Sequence, residues 1–446
     1  MTQLAEKLHP WVASGRPAGG PRWLQDLRER SAATFSSLGF PTVRDEEWRF
    51  TNVAPITAGD FQLAGAPTGL SPALADGLPY AGSGAHRVVV VNGRYSPELS
   101  RVGGLPRGLT AGSLGAAING ELQADREIVQ RYLGQLADFN TRAFAALNTA
   151  FLDDGGYVHV PDGLILEAPI QILFVSSGES AAATVSYPRC LIVLGDRSQA
   201  RVIETYVSAT TNAVHLTNAV TEVFVGEGAV LDHYKVQQES EQAFHLGTMH
   251  VHATRSANFS SHSFSLGGRF VRNDVLATLD GEGAEVTLNG LYLADGDRLV
   301  DNNTTIDHAR AHCPSHEVYK GILGGRAKAV FNGKIIVRQD AQKTDAKQTN
   351  RALLLSDDAL INTKPQLEIF ADDVKCTHGA AIGQLDEDAL FYLRARGLTY
   401  YEARDMLIHA FAGEILERVK VEPLKVELES QLYTQLARDL AEVDAA

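Results

Sequence analysis

Three cysteines and fourteen histidines carry most of the metal-binding chemistry open to this chain, and one pair stands almost side by side: Cys376-Thr377-His378. In an extended chain residues i and i+2 point to one face, so this thiol and imidazole project together from Cα atoms ~6–7 Å apart. Lys375, immediately before them, is expected to favour the thiolate. A thiolate beside an imidazole suits soft or borderline metals and iron–sulfur clusters. The plain alternative is a buried cysteine with an incidental histidine, the commoner meaning of one isolated C-x-H pair.

A second histidine run, Asp307 to His316, sets His308, His312 and His316 at intervals of four. On a helix they would share a face, as zinc ligands do. Pro314 and the strand-and-turn surroundings argue against a helix, and as a strand the three would spread over ~26 Å. They are expected to be polar residues on the faces of a sheet. Asn332-Gly333-Lys334-Ile335 lacks the upstream glycine and the hydroxyl of a phosphate loop. Gly82-Ser83-Gly84 lacks the third glycine and the helix of a dinucleotide site. No G-x-S-x-G elbow occurs. The chain itself is therefore expected to hold no nucleotide.

The Cys376–His378 pair sits between a strand ending near Phe370 and a helix with Asp386 as N-cap, acidic residues Glu387 and Asp388 in its first turn, and Gly397 as its stop. Upstream, from Tyr157 to about Gly383, the chain is a long series of short strands and turns, among them CLIVLG, RVIETYV, MHVHATR and AVFNGKIIV. Small residues precede successive strands at Ala200, Ala229, Ala257 and Ala284, spacings of 29, 28 and 27 residues; Ala327 and Ala359 follow less regularly. An all-strand repeat of this length signals a solenoid, most simply a parallel β-helix. A Greek-key sandwich is the rival, with shorter strand spacing.

The flanks read as helix. Trp23, Leu24, Leu27, Phe35 and Leu38 make one stripe, and Leu122 to Phe151 continues a helical pattern. Asp45 to Phe50 is a charged turn with an aromatic anchor, residues 54 to 86 a Gly/Pro/Ala-rich linker, and His86 to Asn92 a buried strand. At the C-terminus, Ala389, Leu390 and Leu393 form one helix face. Thr399 and Glu402 form a capping box, opening a helix with apolar Ala403, Met406, Leu407, Ala410, Phe411 and Ile415. After Pro423 a third helix follows on Val426, Leu428, Leu432, Leu436 and Leu440. These helices are expected to cap the open solenoid end, to dock a partner, or both. The expected division is a mostly helical N-terminal domain with linker (1–150), a β-helix core (151–383) and a C-terminal helical domain (384–446).

With 446 residues and 44% hydrophobic content the chain can bury more than one domain's core. A net charge of −14 argues against nucleic acid and against an anionic membrane surface. No apolar run approaches the ~20 residues of a membrane span. The first residues show neither a secretion signal nor a transit peptide. Three scattered cysteines, Cys190, Cys313 and Cys376, fit a reducing cytoplasm.

The segments EEWRFTNV (Glu46 to Val53), DNNTTIDHARAHC (Asp301 to Cys313), YKGIL (Tyr319 to Leu323) and the long run from Asn332 to Gly397 together resemble the SufB/SufD family of iron–sulfur cluster assembly proteins. The resemblance runs from about residue 20 to the end, and the segment Lys375 to Gly379, the E-E-W element and the few cysteines bring it nearer the SufD paralogue. It implies a mainly β protein, a right-handed parallel β-helix between helical N- and C-terminal domains. It implies a complex with a SufB-like paralogue and a SufC-like ATPase, the ATPase docking on the C-terminal helices, so that ATP hydrolysis belongs to the partner and this chain is not an enzyme. It implies a transient iron–sulfur cluster, or iron, at the subunit interface, held in part by His378 and Cys376. A cluster takes about four thiolate or imidazole ligands; this pair supplies two, and the rest must come from a partner or from small molecules. Two other readings stand beside it. One is a β-helix polysaccharide lyase or hydrolase, for which Asp372 and Asp373 are the nearest carboxylate pair. The other is a homodimer of solenoids joined edge to edge, without metal.

Overall fold

The computed structural model describes residues 15–65, 70–122, 125–177 and 183–443. The N-terminal residues read for targeting signals lie outside that range, and the side chains of Leu436 and Leu440 are likewise not described. Twenty-one strands are described: β1 (Gln62–Leu63), β2 (His86–Val91), β3 (Arg94–Tyr95), β4 (Thr110–Ser113), β5 (Gly155–Val160), β6 (Ile170–Ser176), β7 (Thr184–Ser186), β8 (Arg189–Leu194), β9 (Gln199–Ser208), β10 (His215–Val225) and β11 (Val230–Gln238). They continue as β12 (Phe244–Ala253), β13 (Asn258–Ser265), β14 (Phe270–Leu279), β15 (Glu285–Ala294), β16 (Leu299–His308), β17 (Pro314–Leu323), β18 (Lys328–Val337), β19 (Asp345–Leu354), β20 (Leu360–Ile369) and β21 (Lys375–Gly383).

From β8 onward, even-numbered strands build one sheet, ending β16-β18-β20, and odd-numbered strands build the other, ending β17-β19-β21. Each strand pairs in parallel with its equivalent one rung away, at an offset between 26 residues (Phe244 opposite Phe270) and 32 (Lys328 opposite Leu360). This is the expected β-solenoid, and parallel pairing excludes the Greek-key sandwich. Alternate residues of each strand face a shared interior. A continuous apolar cluster fills much of it, with Val202, Leu231, Phe259 and Val286 from the odd-numbered sheet and Phe331 from the even-numbered one.

The corners explain the small-residue spacing. Arg197, Gly228, Ser256, Gly283, His312 and Lys343 all adopt positive φ, between 54° and 72°. The next residue in each, Ser198, Ala229, Ala257, Ala284, Cys313 and Thr344, turns inward and is buried. Strictly, then, Ser198 holds the slot that the spacing gave to Ala200, which pairs with Leu231 inside a strand. Ala327 and Ala359 looked irregular because they line the opposite corner, where the Leu360 amide donates to Ala327 O.

The N-terminal segments wrap the outer face of the even-numbered sheet. The Arg22–Leu38 helix forms as expected, but the pattern from Leu122 to Phe151 is broken into the helices Arg126–Tyr132 and Ala143–Ala150. The break is made by Glu222, whose carboxylate accepts the amides of Gly134, Leu136 and Ala137 at 2.9, 2.8 and 3.1 Å while paired with buried Arg189. Residues 54–86 carry two short helices, Ala54–Thr57 and Pro72–Asp76, and β1, which pairs with β7. Strands β2 and β4 extend the two sheets by pairing with β6 and β5.

The Glu46–Trp48 turn is a clamp. The Arg272 guanidinium lies 3.7 Å from the centre of the Trp48 ring, donates to Glu47 O at 2.9 Å, and is paired with Asp274 and Asp301. Thr51 Oγ1 donates to Asp301 Oδ2 at 2.6 Å. Lys364 Nζ on β20 reaches Glu46 Oε1 at 2.6 Å.

The last helices, Glu387–Ala395, Tyr400–Leu416 and Glu422–Val443, correct the capping expectation. Ile408, Ala412, Ile415, Leu416, Leu424 and Leu428 pack on Tyr234, Phe264, Leu291 and Ile322, on the outer face of the odd-numbered sheet. They flank the solenoid and leave its end open. The Thr399–Glu402 box and the Asp386 cap are present. Of the predicted stripe, Ala403 and Ile415 are buried while Met406 is half exposed, because the sheet takes the neighbouring face.

Two outcomes follow for stability. Arg272→Met leaves buried Asp301 without its cation and Asp274 with only Arg142, 3.8 Å away, and should cost about 3–5 kcal/mol by denaturant titration; a loss under about 1 kcal/mol would show the clamp to be dispensable. Burial holds His250, His262 and His308 down at about 4, whereas unfolded histidines take up protons near ~6.5. Between those values the unfolded chain binds more protons, so stability should fall as pH drops from about 6.5 toward 4, by up to about 3 kcal/mol per histidine. Thermal unfolding at stepped pH measures it, and a flat profile would contradict these burials.

Candidate functional site

Strand β21 forms the last rung of its sheet, paired with β19 on one side only, and β20 likewise pairs only with β18 among the described residues. The chain therefore ends its solenoid with two open sheet edges. Cys376 lies opposite Ala346 and His378 opposite Gln348. Followed back one rung further, these columns reach Ser315 and Glu317, both buried inside. Parallel register keeps each column on one face, so the Cys376 and His378 positions face the interior where it opens. With no further rung above them, His378 is exposed and Cys376 half-buried.

The surroundings are apolar for an exposed end. Phe370 and Ile382 are 63% and 48% exposed, and Phe391 on the Glu387–Ala395 helix is 74% exposed. That helix has no fully buried residue. Single exposed apolar residues are ordinary; Phe370, Ile382 and Phe391 together leave an unusual amount of apolar surface in solvent.

Burial pushes the Cys376 thiol up, and the Asp345 carboxylate adds to the rise. Lys375 does not deliver the thiolate the sequence suggested: alternation turns its side chain to the opposite face. Cys190 is buried and its thiol is held well above its ordinary value by burial first and by Glu204 second. Cys313 fills a corner slot, its Sγ 3.2 Å from Gly281 O. The histidine run does not converge. His308 points inside, its Nε2 2.9 Å from Ser315 Oγ; His312 sits on a corner; His316 lies on a strand two residues past Pro314. Among the described residues no group of three or more His, Cys, Asp and Glu side chains is arranged to hold a metal ion. Asp372 and Asp373 lie in a bend, and Lys343 is paired with Asp373.

Sequence reasoning missed Glu317 and Gln348. Gln348 Nε2 donates to Glu317 Oε2 at 2.7 Å, both side chains are buried, and burial pushes the Glu317 carboxyl up to about 7. Their alternation within strands was visible; their stacking beneath His378 needed the rung offsets.

The molecule is thus a β-solenoid with a thiol and an imidazole at an open terminal rung. The family described as "SUF system FeS cluster assembly, SufBD core domain" matches residues 174–411, and "SufBD protein N-terminal region" matches residues 18–172. An iron–sulfur cluster assembly SufBD family protein of Synechocystis is 36% identical over 412 residues, covering 91% of this chain and 89% of the relative. The iron–sulfur cluster assembly protein SufD of Escherichia coli is 32% identical over 401 residues, 89% of this chain and 90% of that one. A chloroplastic protein of Arabidopsis thaliana is 30% identical over 424 residues, 93% and 86% of the two chains. The chain belongs to the SufBD family of iron–sulfur cluster assembly proteins.

Thiol labelling checks the site's exposure. A maleimide should modify one cysteine of the native chain, Cys376, more slowly at pH 7 than a peptide thiol, because burial favours the protonated form. Three should react after denaturation. Rapid labelling of all three native thiols would refute this placement.

Proposed function

We propose that this chain is the SufD-like, non-catalytic half of a cluster-building scaffold, pairing through its terminal rung with a SufB-like paralogue. The observation that carries the reading is the open end itself: two unpaired strand edges, an apolar rim, and Cys376 and His378 at the mouth of the interior. A second solenoid ending the same way would continue both sheets and satisfy the free backbone groups. The cluster, or iron, is cargo at that junction. His378 supplies one ligand, Cys376 a second, and the partner or bound small molecules the others.

The 384–446 segment serves as the docking module for a SufC-like ATPase. Its support is the face left over after the helices pack on the sheet: Phe391, Tyr392, Tyr400 and Met406 remain exposed. On this reading the 151–383 segment is the scaffold and 1–150 its buttress. ATP hydrolysis belongs to the partner. A cytosolic setting is part of the proposal, supported by three unpaired cysteines. An edge-to-edge homodimer of the isolated chain would use the same open rung.

The test is His378→Ala in the chain co-produced with both partners. The complex should still form, since the side chain adds no strand pairing, while cluster assembly, followed by visible absorbance after anaerobic iron and sulfide supply, should fall at least tenfold. Undiminished assembly would remove His378 from the site.

A further inference from the structure

Three side chains occupy one column through the last three rungs of the odd-numbered sheet: Glu317 on β17, Gln348 on β19 and His378 on β21. Neighbouring rungs stand about 4.8 Å apart, so a residue's nearest equivalents lie directly above and below it. Gln348 is 2% exposed, and its amide nitrogen is committed downward to Glu317. Its other end, Oε1, is buried and has no donor. A buried carbonyl left unpaired is costly, and such groups are seldom left so. The even-numbered sheet supplies nothing here. Gly333 faces the amide, and a Cβ added to it would lie 2.2 Å from Gln348 Nε2. That glycine is where the interior makes room for the Gln348 side chain.

We propose that Gln348 is the positioning residue for His378: its Oε1 accepts one ring N–H of His378 once a partner covers the mouth, leaving the other ring nitrogen free to bind iron. This rests on the scaffold reading and deepens it. An imidazole that binds metal through one nitrogen generally donates through the other, which fixes its tautomer and its aim. Gln348 suits the task because a neutral amide accepts without adding charge. Glu317, held by burial close to neutrality, anchors the amide so that Oε1 is the end turned toward the mouth. In the free chain His378 is exposed, so the contact couples partner docking to readiness for metal.

The experiment uses the complex of the full chain with its paralogue and ATPase, with Co2+ as a spectroscopic stand-in for ferrous iron. Gln348→Leu keeps the volume and removes the acceptor, and should weaken Co2+ binding 10–100-fold. If Gln348→Leu binds Co2+ like the parent while His378→Ala loses it, the positioning role is overturned and the scaffold reading stands. If His378→Ala also binds like the parent, the scaffold site falls and this inference with it. A second measurement needs no substitution: 15N-labelled histidine spectra should show one His378 tautomer in the complex and a mixture in the free chain. A mixture in both would overturn the proposal even if Gln348→Leu fails to fold.

Discussion

Parallel pairing in register is the constraint on which the rest of this molecule depends. Each strand takes its position from the strand one rung below, so inward residues stack on inward residues for the length of the solenoid. The same rule that closes the interior leaves it open at the end, because the last rung has nothing above it. Cys376 and His378 are special through that position. Two rungs earlier the same columns hold Ser315 and Glu317, both sealed from solvent.

Buried charge fixes what is attached to the outside. Arg189 with Glu222 and Arg272 with Asp301 are pairs buried in a protein face, and each is completed by bonds from the N-terminal segment. Such pairs are weak sources of stability but are intolerant of misplacement. They seat the N-terminal elements in one way, while the C-terminal helices are held mainly by apolar contact with Tyr234, Phe264 and Ile322. With both outer faces covered, the terminal rung is left as a broad surface free for another chain.

The site was partly legible beforehand. The C-x-H pair on a strand, the helix cap at Asp386 and the Thr399–Glu402 box depend on neighbours within a few residues, and local rules found them. Errors arose where a distant group decided the outcome. Glu222 broke the Leu122–Phe151 helix from some 85 residues away. The favoured face of the Tyr400–Leu416 helix was chosen by the sheet beneath it, and the thiol of Cys376 answers to its burial against β19 more than to Lys375.

The sequence by itself determined the solenoid, since strand period and rung length are written into alternation and small-residue spacing, and it determined the family through motifs spread along the chain. Only the tertiary structure decided which residues stack beneath His378, which corner each small residue lines, and that the helices flank the open end without covering it. The physical reason is that rung offsets vary from turn to turn, so partners in a column become known only once the coils are wound.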